Sequence, residues 1–408
     1  MWTRLLDATL RRAVRRGALE VRFPDGAARR YGGDGPPVRI ALLDPRLPRR
    51  AMLNADLALG EAYMDGALVI EGDDLRGFLA LAAQALADGE DVPAFRFYRG
   101  SARLRKRLWQ IAGARRARRN VARHYDLSPR LYDLFLDRDR TYSCAYFERP
   151  GMPLEEAQAA KRRHVIAKLF LEPGMRVLDI GSGWGGLAIE MARGHGARVV
   201  GITLSEEQLA HARARAEAEG LSDRVEFRLQ DYRAVEGRFD RIVSVGMFEH
   251  VGVPHYGAYF RQIRDRLAPD GVALVHTIGR SGPPGSTSPW LQKHIFPGGY
   301  TPALSEMMRP IEGSGLVACD VEVWRLHYAE TLRHWSERFE ARAEEARRLY
   351  DARFVRMWRW YLTGCEMNFR FGRQVVFQVQ LARAKDAVPA TRGYLHGGTP
   401  ATLSHAAE

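Results

Sequence analysis

The 408-residue sequence has only three cysteines, Cys144, Cys319 and Cys365. They are too few and too scattered for a disulfide framework or a zinc site, so a reduced, cytoplasmic setting is expected. No stretch approaches the ~18 apolar residues that a membrane span requires. Any meeting with a membrane is therefore expected at its surface, on the inner face. The first turns carry Arg4, Asp7, Arg11 and Arg12, unlike a secretory signal. There is no internal repeat and no low-complexity tract. Acids are in deficit, 49 Asp+Glu against 62 Lys+Arg, for a formal charge of +13. Such an excess favours an anionic partner: a phospholipid surface, a nucleic acid or a phosphorylated substrate. Arginine far outnumbers lysine, so GC-rich codon usage accounts equally well for part of it.

The deficit is sharpest in residues 96–123, which hold eleven Arg/Lys and no acid. Leu104, Leu108 and Ile111 keep an apolar stripe within the charge. The pattern reads as a basic linker helix, either merely solvated or lying on a membrane. Residues 1–16 also alternate apolar and basic positions at helical spacing. Short strands are expected at Glu20–Phe23, Arg39–Leu43 and Ala67–Ile70, with Gly/Pro turns such as Gly32–Pro37 between them. Residues 1–95 thus read as a small α+β domain.

From 161 onward the pattern becomes α/β. Strands are expected at 175–180, 197–202, 224–229, 239–245 and 272–278, with helices near 186–194, 205–219 and 254–268. This alternation marks a doubly wound, Rossmann-like parallel sheet. A Gly/Pro/Ser-rich loop, Gly279–Pro289, follows the fifth strand. An aromatic, charged helical insertion spans about 325–371, a last strand Val375–Leu381, and a flexible tail 391–408.

The first strand ends Val177-Leu178-Asp179-Ile180 and runs into Gly181-Ser182-Gly183-Trp184-Gly185-Gly186. Such a turn places backbone N–H groups and a helix N-terminus at the sheet's carboxyl edge. A G-x-G-x-x-G match alone is weak. NAD binding calls for an acid ~20 residues on, and the second strand instead ends Thr203-Leu204-Ser205. Asp179 would repel a pyrophosphate but suits the methionine ammonium of S-adenosylmethionine. Gln230-Asp231-Tyr232 closes the third strand, where an acid and an aromatic ring could hold adenine. A helix cap is the simpler role for Asp231. Taken together these residues favour a methyltransferase.

Several strings carry a closer resemblance. They are His124-Tyr125-Asp126-Leu127, Thr141-Tyr142-Ser143-Cys144-Ala145-Tyr146-Phe147, Val177–Gly186, Gly201–Ser205, Leu229–Arg233, Ser244–Gly252, His276–Gly279 and Ile295–Gly299. From about 120 to 381 the chain resembles the cyclopropane-fatty-acyl-phospholipid synthases. Gly60–Met64 looks like the N-terminal domain of the bacterial phospholipid-acting members, bounding a methyltransferase domain at 124–390. The resemblance implies methylene transfer from S-adenosylmethionine to the cis double bond of an unsaturated phospholipid acyl chain. A carbocation would form and close to a cyclopropane ring after losing a proton to bound bicarbonate. It implies bicarbonate contacts at Cys144, Glu249, His276, Ile278 (through its backbone N–H) and Tyr328. It implies cofactor contacts at Tyr142, Ser143, Asp179, Gly181, Ser182, Gly183, Trp184, Gly185, Thr203, Leu204, Ser205, Gln208, Gln230, Asp231 and Tyr232. No metal is expected.

Each of these residues also has a plainer reading. Cys144 is commonly a small buried hydrophobe, His276 a satisfied core histidine, and Glu249–His250 helix-start chemistry. His327 competes with Tyr328. His250 is left out because it and Glu249 cannot easily face one pocket. Tyr142, Phe248 and Tyr300 are candidate π-faces for the cation. Ser182 stands where many members carry cysteine, and the loop Gly279–Pro289 is longer than expected. The expected partner is an anionic, unsaturated phospholipid surface rather than nucleic acid, and a homodimer is left open. The rival readings are a methyl- or methylene-branched product on the same scaffold, a non-catalytic lipid- or nucleic-acid-binding protein and, more distantly, an NAD-dependent dehydrogenase.

Overall fold

The computed structural model describes residues 1–89, 92–93 and 127–396. The basic segment 96–123, with His124 and Asp126, lies outside them.

Residues 1–89 form a small α+β unit. Four short strands, β1 (Ala18–Arg22), β2 (Ala28–Gly32), β3 (Val38–Leu42) and β4 (Leu68–Ile70), pair in the order β2-β1-β3-β4. Helices Trp2–Ala13, Leu47–Met64 and Leu75–Asp88 accompany them. The first helix is amphipathic, as its spacing predicts. Its Leu6 and Leu10 pack on the interior, however, leaving Leu5 and the arginines to solvent. β2 is absent from the sequence reading because Arg29 and Arg30 interrupt its alternation. The aromatic Tyr31 alone faces inward there.

The rest is built on seven strands: β5 (Arg176–Ile180), β6 (Arg198–Thr203), β7 (Val225–Leu229), β8 (Phe239–Val245), β9 (Leu267–Arg280), β10 (Val317–Trp324) and β11 (Gln374–Ala382). Their order is β10-β11-β9-β8-β5-β6-β7. The five consecutive strands β5 to β9 pair in parallel, and β11 and β10 are added antiparallel. This is the expected doubly wound sheet with helices on its faces. β9 runs two residues past the predicted end because β11 pairs with it as far as Arg280. β10 escapes the sequence reading because its acids Asp320 and Glu322 break the apolar run.

The insertion folds into helices His327–Ala341, Ala343–Leu349 and Ala352–Phe371. Asp351 caps the last, accepting the Phe354 N–H at 2.6 Å. Its Trp358, Trp360 and Tyr361 join Tyr63 and Phe78 of the small unit in one apolar cluster. Residues 392–396, assigned above to a flexible tail, form a 3-10 turn docked on the sheet edge. Arg392 pairs with Asp320, and the Tyr394 hydroxyl reaches Gln380 at 3.3 Å.

Candidate active site

The sheet order reverses at β5, whose neighbours are β6 on one side and β8 on the other, and ligands of open α/β sheets bind at such switch points. Gly181 follows β5 at φ +86°, and a Cβ there would stand 2.9 Å from the Met247 side chain. Only glycine lets the turn pass beneath Met247. The helix Gly186–His195 starts immediately after it, turning its first N–H groups toward the sheet edge.

A cavity opens over this turn. Asp179, Gly181, Ser182, Gly183, Trp184, Thr203, Leu204, Gln208, Gln230, Asp231, Tyr232, Tyr142 and Ser143 all line it. Two predicted cofactor residues do not. Gly185 turns away beneath the helix, where its hydrogens face Phe227 and Ala212. Ser205 instead caps the helix Glu206–Ala218, its Oγ accepting the Gln208 N–H at 3.3 Å. Asp231 lines the cavity and also caps the turn after β7, accepting the Arg233 N–H at 2.9 Å.

Among the described residues, some polar groups of the cavity wall have no hydrogen-bond partner. Asp179 is buried, its Oδ2 has no hydrogen bond, and burial pushes its carboxyl up to about 7. Ser182 Oγ is equally unpartnered. Buried acceptors are costly unless a donor reaches them, so this wall calls for a cationic or N–H-bearing ligand. Thr203 donates to Gln208 Oε1 at 2.9 Å, fixing the amide at the rim.

The sequence reading missed Lys161, which also lines the cavity. It is only 4% exposed, donates to Ser143 Oγ at 2.9 Å, and burial lowers its ammonium to about 8. Its charge acts on Asp179, Cys144 and His276. A lysine among Ala159, Ala160 and Arg162 on a helix gives no signal in sequence; only the fold turns it inward. His250, Met247, Pro297 and Gly298 line the cavity as well.

None of the five residues expected to act on the reaction lines the cavity; Cys144, Glu249, His276 and Tyr328 are buried and Ile278 is partly buried. Cys144 is fully buried, and burial raises its thiol well above the ordinary range. Its Sγ lies 3.3 Å from the Ala145 carbonyl, and it is no thiolate nucleophile. Glu249, in the turn after β8, is pushed by burial up to about 7, and its Oε2 has no partner. The Tyr328 hydroxyl is held protonated by burial, with Tyr361, Cys144 and Glu249 around it adding to the effect. His276 on β9 is kept neutral by burial and by Lys161 and Lys168.

The Ile278 backbone N–H donates to Glu249 Oε1 at 2.7 Å and so orients the carboxylate. Of the rivals Tyr328 and His327, Tyr328 is buried in the apolar cluster, whereas the partly buried His327 stacks on Tyr146 and accepts the Phe147 N–H at 3.1 Å. His250 lines the cavity and Glu249 does not, in keeping with the expectation that the two cannot share it.

Of the three π-face candidates, only Tyr142 is at the cavity. Phe248 and Tyr300 belong to a second apolar cluster with Tyr256 and Phe260. Tyr142 packs edge-on to Tyr132 and tilted on Trp335, and shares a 2.7 Å hydrogen bond with Tyr361. The surroundings are apolar and aromatic.

The family profile described as mycolic acid cyclopropane synthetase matches residues 113–379. The chain belongs to this family. A domain of unknown function matches residues 5–86. A cyclopropane-fatty-acyl-phospholipid synthase of Escherichia coli K12 is 39% identical over 348 residues, spanning 85% of this chain and 88% of its own. A probable fatty acid methyltransferase of Pseudomonas putida is 37% identical over 350 residues, 83% of this chain and 86% of its own. Among solved structures, the cyclopropane synthase MmaA2 of Mycobacterium tuberculosis aligns with a TM-score of 0.62 at 35% identity, over 65% of this chain and 98% of its own. The mycolic acid cyclopropane synthase CmaA1 in complex with SAH and CTAB aligns equally well, at 36% identity. The chain is thus an S-adenosylmethionine-dependent enzyme of the cyclopropane synthase type with a class I methyltransferase fold. Among the described residues no helix is long and apolar enough to cross a membrane.

Proposed function

We propose that this enzyme adds a methylene group from S-adenosylmethionine across the cis double bond of an unsaturated phospholipid acyl chain, with bound bicarbonate as the base. The observation that carries the reading is the adjacency of two differently built compartments. One is a cavity with an unpartnered Asp179 carboxyl. The other is an apolar, aromatic interior holding Glu249, His276 and Tyr328.

When bound, S-adenosylmethionine supplies a methyl group to the double bond and leaves a carbocation, which closes to a ring once the new methyl loses a proton. The protein's groups fit that task. Asp179 takes the methionine ammonium, and Asp231 with Tyr232 takes the adenine. Trp335, Tyr142 and Tyr361 exclude water and offer π-faces to the cation. Glu249 fits an anionic base only through its free Oε2, accepting the O–H of bicarbonate, while His276 and Tyr328 donate to the ion's other oxygens. Lys161 adds a buried positive charge.

The enzyme meets its lipid as a peripheral protein. Each basic residue near an anionic surface contributes about 1 kcal/mol, and residues 96–123 carry eleven. Since the apolar face of helix Trp2–Ala13 is largely occupied inside the fold, docking rests mainly on charge.

Relatives named as fatty acid and tuberculostearic acid methyltransferases favour a second reading, a methyl-branched product. Lipid analysis separates the two after expression in a host lacking such an enzyme. A product one methylene heavier that resists mild hydrogenation is expected. A product that takes up hydrogen, or one already saturated and branched, overturns ring formation. Turnover of labelled S-adenosylmethionine on unsaturated anionic vesicles excludes a silent binding protein.

A further inference from the structure

A buried chain of hydrogen bonds runs from His276 away from the cavity. Gln378 on β11 is the cross-strand partner of His276 on β9. Its Nε2 lies 3.0 Å from His276 Nδ1, and its Oε1 accepts from Lys168 Nζ at 2.8 Å. Lys168 is also paired with Glu322, which His164 Nε2 meets at 2.7 Å. Lys168, Gln378 and His276 are each 2% exposed or less.

Donor and acceptor counting leaves one arrangement. An ammonium only donates, so it must face the carbonyl end of the Gln378 amide. The NH₂ end then faces His276, and an NH₂ group only donates. His276 Nδ1 must therefore accept, and the single proton of the neutral ring sits on Nε2. Protonating Nδ1 would set two donors face to face, which opposes the imidazolium in addition to burial. Burial lowers the Lys168 ammonium, and the paired Glu322 opposes that shift. Glu322 is held down to about 2 despite its burial, by His164 and Lys168. The Trp324 ring stands nearly perpendicular to the His276 imidazole, their centres 5.2 Å apart, and restrains its plane.

We propose that Gln378 and Lys168 are positioning residues that lock His276 as the neutral Nε2–H tautomer, making it a hydrogen-bond donor at Nε2. Within the bicarbonate reading, on which this role rests, His276 then holds the anion and cannot itself take the substrate proton at that nitrogen. The base must be the ion it holds.

The test uses the full-length protein labelled with ¹⁵N-histidine. Two-bond ¹H–¹⁵N correlations report the tautomer, with His276 assigned by His276→Asn. The wild type is expected to show protonated Nε2. Gln378→Glu is nearly isosteric but presents only acceptors, so it should move the proton to Nδ1 and lower kcat by about 100-fold, a loss typical of misplaced acid–base groups, with S-adenosylhomocysteine affinity unchanged. A wild-type ring protonated on Nδ1, or a Gln378→Glu ring that keeps its Nε2 proton, overturns the inference. A tautomer that moves without loss of rate upholds the lock and instead removes His276 from the anion site. If Gln378→Glu does not fold, the wild-type spectrum together with Lys168→Met decides. Lys168→Met frees the amide to rotate and should give a mixture of tautomers.

Discussion

The backbone N–H of Ile278 donates to Glu249 Oε1 at 2.7 Å, tying the turn after β8 to the C-terminal end of β9. The bond engages Oε1, while Oε2 has no hydrogen-bond partner among the described residues. Glu249→Gln keeps the shape, and its amide can still accept from Ile278, but it replaces Oε2 by a donor. The rate is expected to fall by about 10²–10³-fold, as when a catalytic-site hydrogen-bonding group is lost, while S-adenosylhomocysteine affinity stays within about two-fold. Steady-state kinetics and calorimetry check this pair of outcomes. An equal loss in both would make Glu249 structural.

Asp179 gives a pH signature. Its carboxyl is raised to about 7 by burial, and a methionine ammonium beside it favours the charged form. Binding therefore expels a proton, and affinity rises as pH climbs through about 7. Calorimetry in buffers of different ionisation heat should record the release. Asp179→Asn removes the pH dependence and weakens binding about 10- to 100-fold, matching a charged hydrogen bond of about 1.5–3 kcal/mol. In the free protein the sign is opposite to that of a salt-bridged acid. The native state holds protons that the unfolded state has released, so stability falls as pH rises from the ordinary carboxyl range of 3.8 toward 7.

Much of this site was readable before the fold. The glycine turn, Asp179, Thr203 and Asp231 sit at or just past strand ends, and Gln208 in the first turn of the helix after β6, where local spacing dictates placement. Gly185 and Ser205 fall outside the cavity lining because a motif residue can serve the turn. The bond from Ile278 to Glu249 was not legible because hydrogen-bond supply is a tertiary property. Lys161, Gln378 and Lys168 had no local signal. They become functional only when a helix and an antiparallel strand pack beside β9, as β11 does.

Packing of the small unit gives a stability prediction. A Cβ on Gly60 would lie 2.4 Å from Trp290 Cδ1, and the indole is itself buried. Gly60→Ala must displace the ring, so the urea midpoint should fall by the equivalent of about 1–3 kcal/mol with an unchanged slope. An unchanged midpoint would mean that the interface yields freely.

The basic segment gives a salt-dependent one. Replacing Arg115, Arg116, Arg118 and Arg119 by Gln should weaken binding to anionic vesicles at low ionic strength. The difference should shrink toward 1 M salt, where the screening length is about 3 Å. Vesicle co-sedimentation across a salt series reads it. Unchanged binding at low salt would assign the segment a linker role.

The helix Leu47–Met64 grips the stretch after β9 at several points. Asp56 accepts from Ser288 Oγ at 2.7 Å and from the Trp290 N–H at 3.0 Å, and Glu61 meets Lys293 and His294. Seven and eight residues beyond Trp290, Pro297 and Gly298 form part of the cavity rim, and the Tyr300 N–H holds the Glu249 carbonyl at 2.9 Å. The rim is thus anchored from the small unit as well as from the sheet. For anyone recombining such enzymes, the unit of exchange is neither domain by itself. Residues 47–64 and 288–300 are a matched pair, and a chimera that inherits them from different parents inherits a rim without its anchor.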